Sequence, residues 1–222
     1  MAEYKVVEKF VSINGEGFRA GELAVFIRFM GCNLNCSYCD TAWANQEDTA
    51  YTLMTELQIY QYIKETRIKN VTLTGGEPLL DPNIMELLQL LSKDHELHVE
   101  IETNGSIDIS TFSCLAKPPS FTMDYKLPGS LMEASMLISN FSYLTMKDTI
   151  KFVVGSIEDM DRAREIIGRM ELTRRCHVYL SAIYGKIKLE DVVEYMKEHK
   201  MNHVVLQLQM HKVIWTPDKR CV

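Results

Sequence analysis

The stretch that most restricts what this chain can become is Gly31-Cys32-Asn33-Leu34-Asn35-Cys36-Ser37-Tyr38-Cys39-Asp40-Thr41. Its three thiols follow a C-x3-C-x2-C spacing. Such a spacing closes a tight loop and points the sulfurs into one volume. An iron–sulfur cube normally takes four thiolates. Three local ones hold three irons and leave the fourth open to a small molecule, so the site reads as catalytic rather than as an electron relay. Structural zinc would need four closed ligands, usually from two C-x2-4-C type pairs. No second pair and no His at ligand spacing accompanies these cysteines.

The rest of the chain reads as a frame around that loop. Tyr4 to Ile13 alternates and is rich in Val and Phe, as a strand does. It ends in the turn Asn14-Gly15-Glu16-Gly17, and Glu22 to Met30 reads as its partner strand. Arg28 lies within that apolar strand, and Arg is rarely buried unpaired. It is either one half of an internal salt bridge or a guanidinium fork facing the cavity, able to grip a carboxylate bidentately. Asp40 and Thr41 carry hard oxygens that suit Mg2+, and an Asp here also stabilises turns.

Thr52 to Glu65 is expected to be an amphipathic helix carrying Leu57, Tyr60 and Ile63 on one stripe. A short buried strand, Asn70 to Leu73, runs into Thr74-Gly75-Gly76-Glu77-Pro78. In a parallel α/β layout ligands bind at the carboxyl edge of the strands, where a glycine pair leaves backbone groups uncovered. A helix is expected over Asp81 to Leu91, with Asp81 as its cap and Pro82 at its first position. Strands follow at Leu97 to Ile101, Ser120 to Asp124, Ile150 to Val154, His177 to Ala182 and Val204 to Gln209. Helices are expected over Ile157 to Met170 and Leu189 to Lys197. Glu102-Thr103-Asn104-Gly105 is a further polar strand terminus, equally readable as a β-turn. Strands alternate with helices from Thr52 onward, without repeat or linker. This pattern argues for one α/β domain over residues 1–222 with a largely parallel sheet.

The cysteine motif together with Thr72-Leu73-Thr74-Gly75-Gly76-Glu77-Pro78 resembles the radical S-adenosylmethionine (SAM) superfamily. Ser12-Ile13-Asn14-Gly15-Glu16-Gly17, Phe26-Ile27-Arg28-Phe29, Cys39-Asp40-Thr41 and Leu206-Gln207-Leu208-Gln209-Met210-His211-Lys212 narrow the resemblance to the 7-carboxy-7-deazaguanine synthase family of deazapurine (queuosine precursor) biosynthesis. It runs from about Tyr4 to Trp215. The resemblance implies a partial (β/α) barrel open at one side, and a homodimer. It implies a radical SAM lyase that contracts 6-carboxy-5,6,7,8-tetrahydropterin to 7-carboxy-7-deazaguanine with loss of ammonia. A [4Fe-4S] cluster on Cys32, Cys36 and Cys39, SAM and Mg2+ are the implied cofactors, with an external electron donor such as flavodoxin.

Carried over residue by residue, Thr41 is the magnesium ligand. Tyr38, Cys39, Asp40, Gly76, Asp124, Tyr125 and Lys126 contact SAM. Ile13, Asn14, Gly15, Glu16, Arg28, Thr74, Gln209 and His211 face the substrate. Two departures stand out. Asn14 replaces a more usual Gln, and Asp124-Tyr125-Lys126 keeps only the lysine of a frequent Ser-Pro-Lys. The family's chain end approaches the substrate, whereas this tail runs on through Asp218 to Val222. Two other readings share part of the signal: a glycyl-radical-enzyme activase and a non-catalytic zinc module. The activase offers no reason for Arg28 and the Asn14-to-Gly17 loop, and one zinc with no acid-labile sulfide would mark the zinc module.

Charge and composition bound the partners. The net charge is −6 and no Lys/Arg run appears, so a nucleic-acid clamp is not expected. No apolar run approaches the ~20 residues of a membrane span, and the polar start Met1-Ala2-Glu3-Tyr4-Lys5 has no signal pattern. A cytoplasmic protein is expected, with the scattered Cys114, Cys176 and Cys221 as free thiols.

Overall fold

The computed structural model describes residues 2–216 and 219–222, so Pro217 and Asp218 of the tail lie outside the described residues. A β-hairpin opens the fold, formed by β1 (Glu3–Ile13) and β2 (Leu23–Phe29). A short β3 (Thr52–Thr55) pairs antiparallel with the start of β1 and leads directly into α1 (Glu56–Thr66). β/α alternation follows: β4 (Asn70–Gly75), α2 (Ile84–Ser92), β5 (His98–Thr103), the single turn α3 (Ser110–Ser113), β6 (Ser120–Tyr125), β7 (Thr149–Val154), α4 (Ile157–Arg169), β8 (His177–Ala182), α5 (Leu189–Glu198), β9 (Val204–Gln207) and α6 (Met210–Ile214).

Among the described residues the nine strands form one sheet in the order β3-β1-β2-β4-β5-β6-β7-β8-β9. From β2 onward every neighbouring pair is parallel. The two end strands do not pair with each other, so the barrel is open, as the family resemblance implies. Its curvature is evident from the loop between β1 and β2. Glu16 in that loop reaches Lys151 on β7 and Ser181 on β8, and Gly17 reaches Gln207 on β9. The hairpin loop therefore lies inside the arc of the parallel strands.

Strand alternation divides the sheet into two faces. Val71, Leu73, Ile101, Phe121, Met123, Ile150, Phe152, Val178 and Leu180 are buried in the main apolar core. Helices cover that face with buried stripes, Ile59 and Ile63 on α1 and Met160, Ala163, Ile166 and Ile167 on α4. Each of these Ile and Met side chains contributes on the order of 1.5–3 kcal/mol through its burial. The other face carries Glu8, Ser12, Arg28, Thr72, Thr74, Glu100, Thr122, Asp124, Lys151, Ser181 and Gln207, a polar interior. Polar side chains in these numbers serve something other than packing.

Three expectations are corrected at this level. The helix expected over Thr52 to Glu65 begins only at Glu56, because Thr52–Thr55 is the edge strand β3. Thr55 then caps α1 in a capping box with Gln58. The cap expected of Asp81 is instead an Asx-type turn, with Oδ1 accepting from the Asn83 amide, and α2 starts after Asn83. The last strand stops at Gln207, and Met210–Ile214 is helical.

Candidate functional site

The cysteine loop leaves β2 at the carboxyl edge of the parallel strands and is tied down from several sides. The Glu77 amide donates to Gly31 O at 2.9 Å, and the Ser37 amide donates to Ser130 O at 3.1 Å. Ser37 Oγ donates to Gly129 O at 2.6 Å, and Asn33 Nδ2 to Ser106 Oγ at 2.8 Å. The three thiols are unpaired and half-buried. Cys32 Sγ accepts from the Leu34 amide at 3.4 Å and lies 3.6 Å from Asn104 Nδ2. Burial pushes the Cys32 and Cys36 thiols up. Thiols so placed hold their protons in the absence of metal and release them when a metal binds the sulfur. Among the described residues no three His, Cys, Asp or Glu side chains converge on one point as ligands of a single ion would. Thr41 Oγ1 lies 3.6 Å from Cys39 Sγ.

The end of β4 packs against this loop without room for side chains. A Cβ on Gly76 would sit 2.1 Å from Gly31 O and 2.4 Å from Asn45 Oδ1. Gly75 has φ +150°, and a Cβ there would sit 2.3 Å from Phe29 O. Glycine is required at both positions. Gly76→Ala is expected to destabilise the fold by about 1–3 kcal/mol, the cost of forcing atoms into a packed site. A melting curve unchanged from wild type would refute the close approach. Glu77 beside it is buried and accepts from the Leu79 amide at 3.0 Å, Thr103 Oγ1 at 2.9 Å and the Asn104 amide at 2.6 Å. It thereby locks the Glu102-to-Gly105 turn onto the Gly-Gly turn. Burial raises its carboxyl, and these hydrogen bonds offset only part of that.

A chain of buried charge crosses the interior. Lys151 Nζ lies 2.9 Å from Glu16 Oε2 and 3.6 Å from Asp124 Oδ2, and Lys126 Nζ lies 3.0 Å from Asp124 Oδ2. Ser181 Oγ donates to the other Glu16 oxygen at 2.7 Å. Burial alone would raise the Glu16 carboxyl, but Lys151 and Ser181 outweigh it and hold it at about 2. Burial alone would lower Lys151, but Glu16 and Asp124 hold it well above the usual lysine range. Deeper in the interior Glu100 accepts from Thr122 Oγ1, and burial pushes its carboxyl up to about 7.

The expected substrate residues gather around this chain. Ile13 ends β1, and Asn14 is buried with Oδ1 accepting from Thr72 Oγ1 at 2.9 Å. A Cβ on Gly15 would lie 2.8 Å from His211 Nδ1, so the loop and α6 are in contact. Burial lowers His211. Thr74 on β4 pairs in register with Arg28 on β2. Gln209 immediately precedes α6 without a side-chain capping bond, while Gln207 two residues earlier clamps Gly17, its Oε1 accepting from the amide at 2.8 Å and its Nε2 donating to the carbonyl at 3.1 Å. Lys212 Nζ reaches Asp40 Oδ2 at 3.6 Å, joining α6 to the cysteine loop.

Three side chains depart from their expected settings. The Tyr125 ring lies in the core against Phe141 and Phe152, with its hydroxyl on Glu133, because it alternates with the inward-facing Asp124. It turns no side-chain atom toward the interior. Both Glu16 oxygens are engaged within the protein. Arg28 is in an ion pair, Nε to Glu8 Oε2 at 2.9 Å, so the salt-bridge reading holds for that edge of the guanidinium.

A polar cofactor fits the space these residues frame. Tyr38 Oη, Asn45 Oδ1, Asp124 Oδ1 and Asn14 Nδ2 are buried without a hydrogen-bond partner. Buried polar atoms are nearly always satisfied, so such a gathering calls for a ligand to complete it. Sulfurs beside a polar, glycine-floored edge suit a cluster that leaves one iron to an amino-acid moiety.

The profile of the Radical SAM superfamily matches residues 26–117, from β2 through the cysteine loop to the end of the β5 unit. The 7-carboxy-7-deazaguanine synthase of Clostridium acetobutylicum is 59% identical over 219 residues, covering 99% of each chain. That of Methanospirillum hungatei is 34% identical over 217 residues, covering 96% of this chain and 86% of its own. The chain belongs to the 7-carboxy-7-deazaguanine synthase family. The crystal structure of QueE from Escherichia coli superposes with a TM-score of 0.75 at 23% identity, covering 94% of this chain and 95% of that one, and shares the fold. Radical SAM membership carries with it the cluster and SAM, and the zinc-module and activase readings give way to the synthase family. No helix among the described residues is long and apolar enough to cross a membrane.

Sequence reasoning missed Glu77, Asn104, Lys151, Ser181 and Gln207 as parts of this site. Lys151 had a visible signal, a lysine between Ile150 and Phe152 in an otherwise apolar strand. Glu77 had one too, inside the Gly-Gly-Glu-Pro turn.

Proposed function

We propose that this protein converts 6-carboxy-5,6,7,8-tetrahydropterin to 7-carboxy-7-deazaguanine with loss of ammonia. The observation that carries the reading is the 59% identity to a 7-carboxy-7-deazaguanine synthase across 99% of both chains. A [4Fe-4S] cluster and SAM, held by this site, would supply the radical chemistry needed at C6 of the pterin. The protein supplies binding, orientation and exclusion of water.

In this reading Cys32, Cys36 and Cys39 hold the cluster. Tyr38, Cys39, Asp40, Gly76, Asp124 and Lys126 bind SAM, and Tyr125 contributes through its main chain only. The Gly76 edge leaves backbone free for the methionyl amine, and Lys126 meets the carboxylate. Asn14 offers its unpartnered Nδ2, and Ile13 and Gly15 offer backbone, to a flat heterocycle. Thr74, Gln209 and His211 line the same space, and Glu16 acts by fixing the loop. Arg28 holds the pterin carboxylate through its terminal nitrogens, which have no acceptor among the described residues. Thr41 binds Mg2+, with substrate oxygens completing the shell. The enzyme works as a cytoplasmic homodimer and takes electrons from an external donor such as flavodoxin.

One anaerobic assay tests the reaction. Reconstituted protein is given SAM, a reductant, Mg2+ and the carboxy-tetrahydropterin. A product lighter by one ammonia, with SAM conserved, is the expected result. Formation of 5′-deoxyadenosine with the pterin untouched would overturn the substrate assignment. For the metal, Thr41→Ala is expected to raise the Mg2+ concentration needed for half-maximal rate about tenfold, equal to about 1.4 kcal/mol of binding. A Mg2+ titration that overlays wild type would remove Thr41 from that role.

A further inference from the structure

Arg28 and Glu8 face each other across the β1–β2 pairing, and the register shifts between Val6 and Glu8. A bulge at such a point re-aims the side chain beside it. Glu8 is buried at 8% exposure, with both oxygens in use. Oε2 receives Arg28 Nε at 2.9 Å, and Oε1 receives Arg220 Nε at 2.9 Å and Cys221 Sγ at 3.3 Å. Arg220 in turn lies 3.3 Å over the ring of Trp43, in the segment that follows the cysteine loop. Tail and hairpin thus meet at one carboxylate, and the segment after the cysteine loop stacks on the tail's Arg220.

Two features follow from this arrangement. Glu8 holds Arg28 by a single nitrogen, Nε, and so leaves the two terminal nitrogens as a fork of the geometry that suits a carboxylate. Two guanidiniums also share one carboxylate, leaving one positive charge in excess among the described residues. Burial would raise the Glu8 carboxyl, but its hydrogen bonds from Arg28 and Arg220 outweigh that and keep it charged.

We infer that Glu8 is a positioning residue for substrate selection: it aims the terminal nitrogens of Arg28 at the carboxylate of the pterin, and Arg220 on Trp43 holds Glu8 in place. The inference rests on the reading that Arg28 grips that carboxylate. It makes the tail part of the device that distinguishes a carboxylated ring from a bare one.

The test compares two ligands on full-length reconstituted enzyme. KM and kcat are measured for the carboxy-tetrahydropterin, and the inhibition constant for tetrahydropterin lacking the carboxylate. In Glu8→Gln the KM is expected to rise about tenfold with a smaller change in kcat, the scale of one charge-assisted hydrogen bond. The inhibition constant of the carboxylate-free ring should stay within about twofold, since it makes no use of the fork. Glu8→Asp, which keeps the charge but shortens the reach, should move KM in the same direction and decides the matter if Glu8→Gln does not fold. Wild-type preference for the carboxylated ring in either folded variant overturns the inference. Arg28→Gln separates the two levels. If it loses the preference while the Glu8 variants keep it, only the positioning role falls. If it too keeps the preference, the reading of Arg28 falls.

Discussion

Cys36→Ala is expected to yield a colourless protein that cleaves no SAM and makes no product, a loss of at least about 10³-fold, or roughly 4 kcal/mol of barrier lowering. Three thiolates are the least that can hold a cube with one open iron, so removing one leaves no alternative local ligand. The scaffold does not depend on this sulfur. The loop is fixed by backbone and hydroxyl contacts, Ser37 to Gly129 and Ser130 and Gly31 to Glu77, and the thiol itself is half-buried. The metal-free variant should therefore melt with the metal-free wild type, within the roughly ±0.5 kcal/mol typical of changes away from the core. Cys114→Ala, at an exposed thiol far from the loop in sequence, should remain coloured and active. A Cys36→Ala protein retaining acid-labile sulfide and turnover would sink the ligand assignment. Iron and sulfide analysis beside the visible spectrum gives the answer.

The parts of this molecule legible in its sequence are those whose cause is local. Alternation marks the strands, and α4 falls within the helix expected over Ile157 to Met170, where Ser156 accepts from the Asp159 amide in the structure. The cysteine loop and the Gly-Gly turn are written in consecutive residues. Where local signals overlap, the sequence misleads. Thr52–Thr55 carries too few residues to show a period of two before the capping box of α1 begins, and Leu57 of the expected stripe is 53% exposed while Ile59 is buried. Tyr125 looks like a site residue although alternation contains the answer: with Asp124 inward, the next residue faces the core. The interior charges are illegible for a different reason. Glu16 meets Lys151 and Ser181 at sequence separations of 135 and 165, Gly17 meets Gln207 at 190 and Glu8 meets Arg220 at 212. Only the curling of the open sheet brings such residues together, and no window of sequence records it.

Lys151→Met should expose how much that long-range chain of charge carries. Methionine keeps most of the volume but leaves Glu16 with Ser181 alone and Asp124 with Lys126 alone. Breaking a buried pair from one side costs about 3–5 kcal/mol, because the remaining charge stays desolvated. At roughly 2–4 °C per kcal/mol for a chain of this size, the melting temperature should fall by about 6–20 °C. The pH dependence distinguishes a missing charge from missing packing. In the wild type Glu16 is held at about 2, so its contribution is present above the ordinary carboxylate range and fades as pH falls from about 4.5 toward 2. In the variant burial is no longer outweighed and the carboxyl rises above its unfolded value, so the ionised form is penalised at neutral pH and the penalty disappears on acidification. The gap between the two proteins should therefore be widest near about pH 7–8 and narrow below about pH 5. Adding Glu16→Gln to Lys151→Met removes the stranded charge, and the double variant should be more stable than Lys151→Met by about 0.5–3 kcal/mol of coupling. A gap that does not change with pH, together with a double variant no more stable than the single, would mean that Lys151 acts by filling space. The hairpin loop would then owe its place to Gln207 and α6, not to the ion pair.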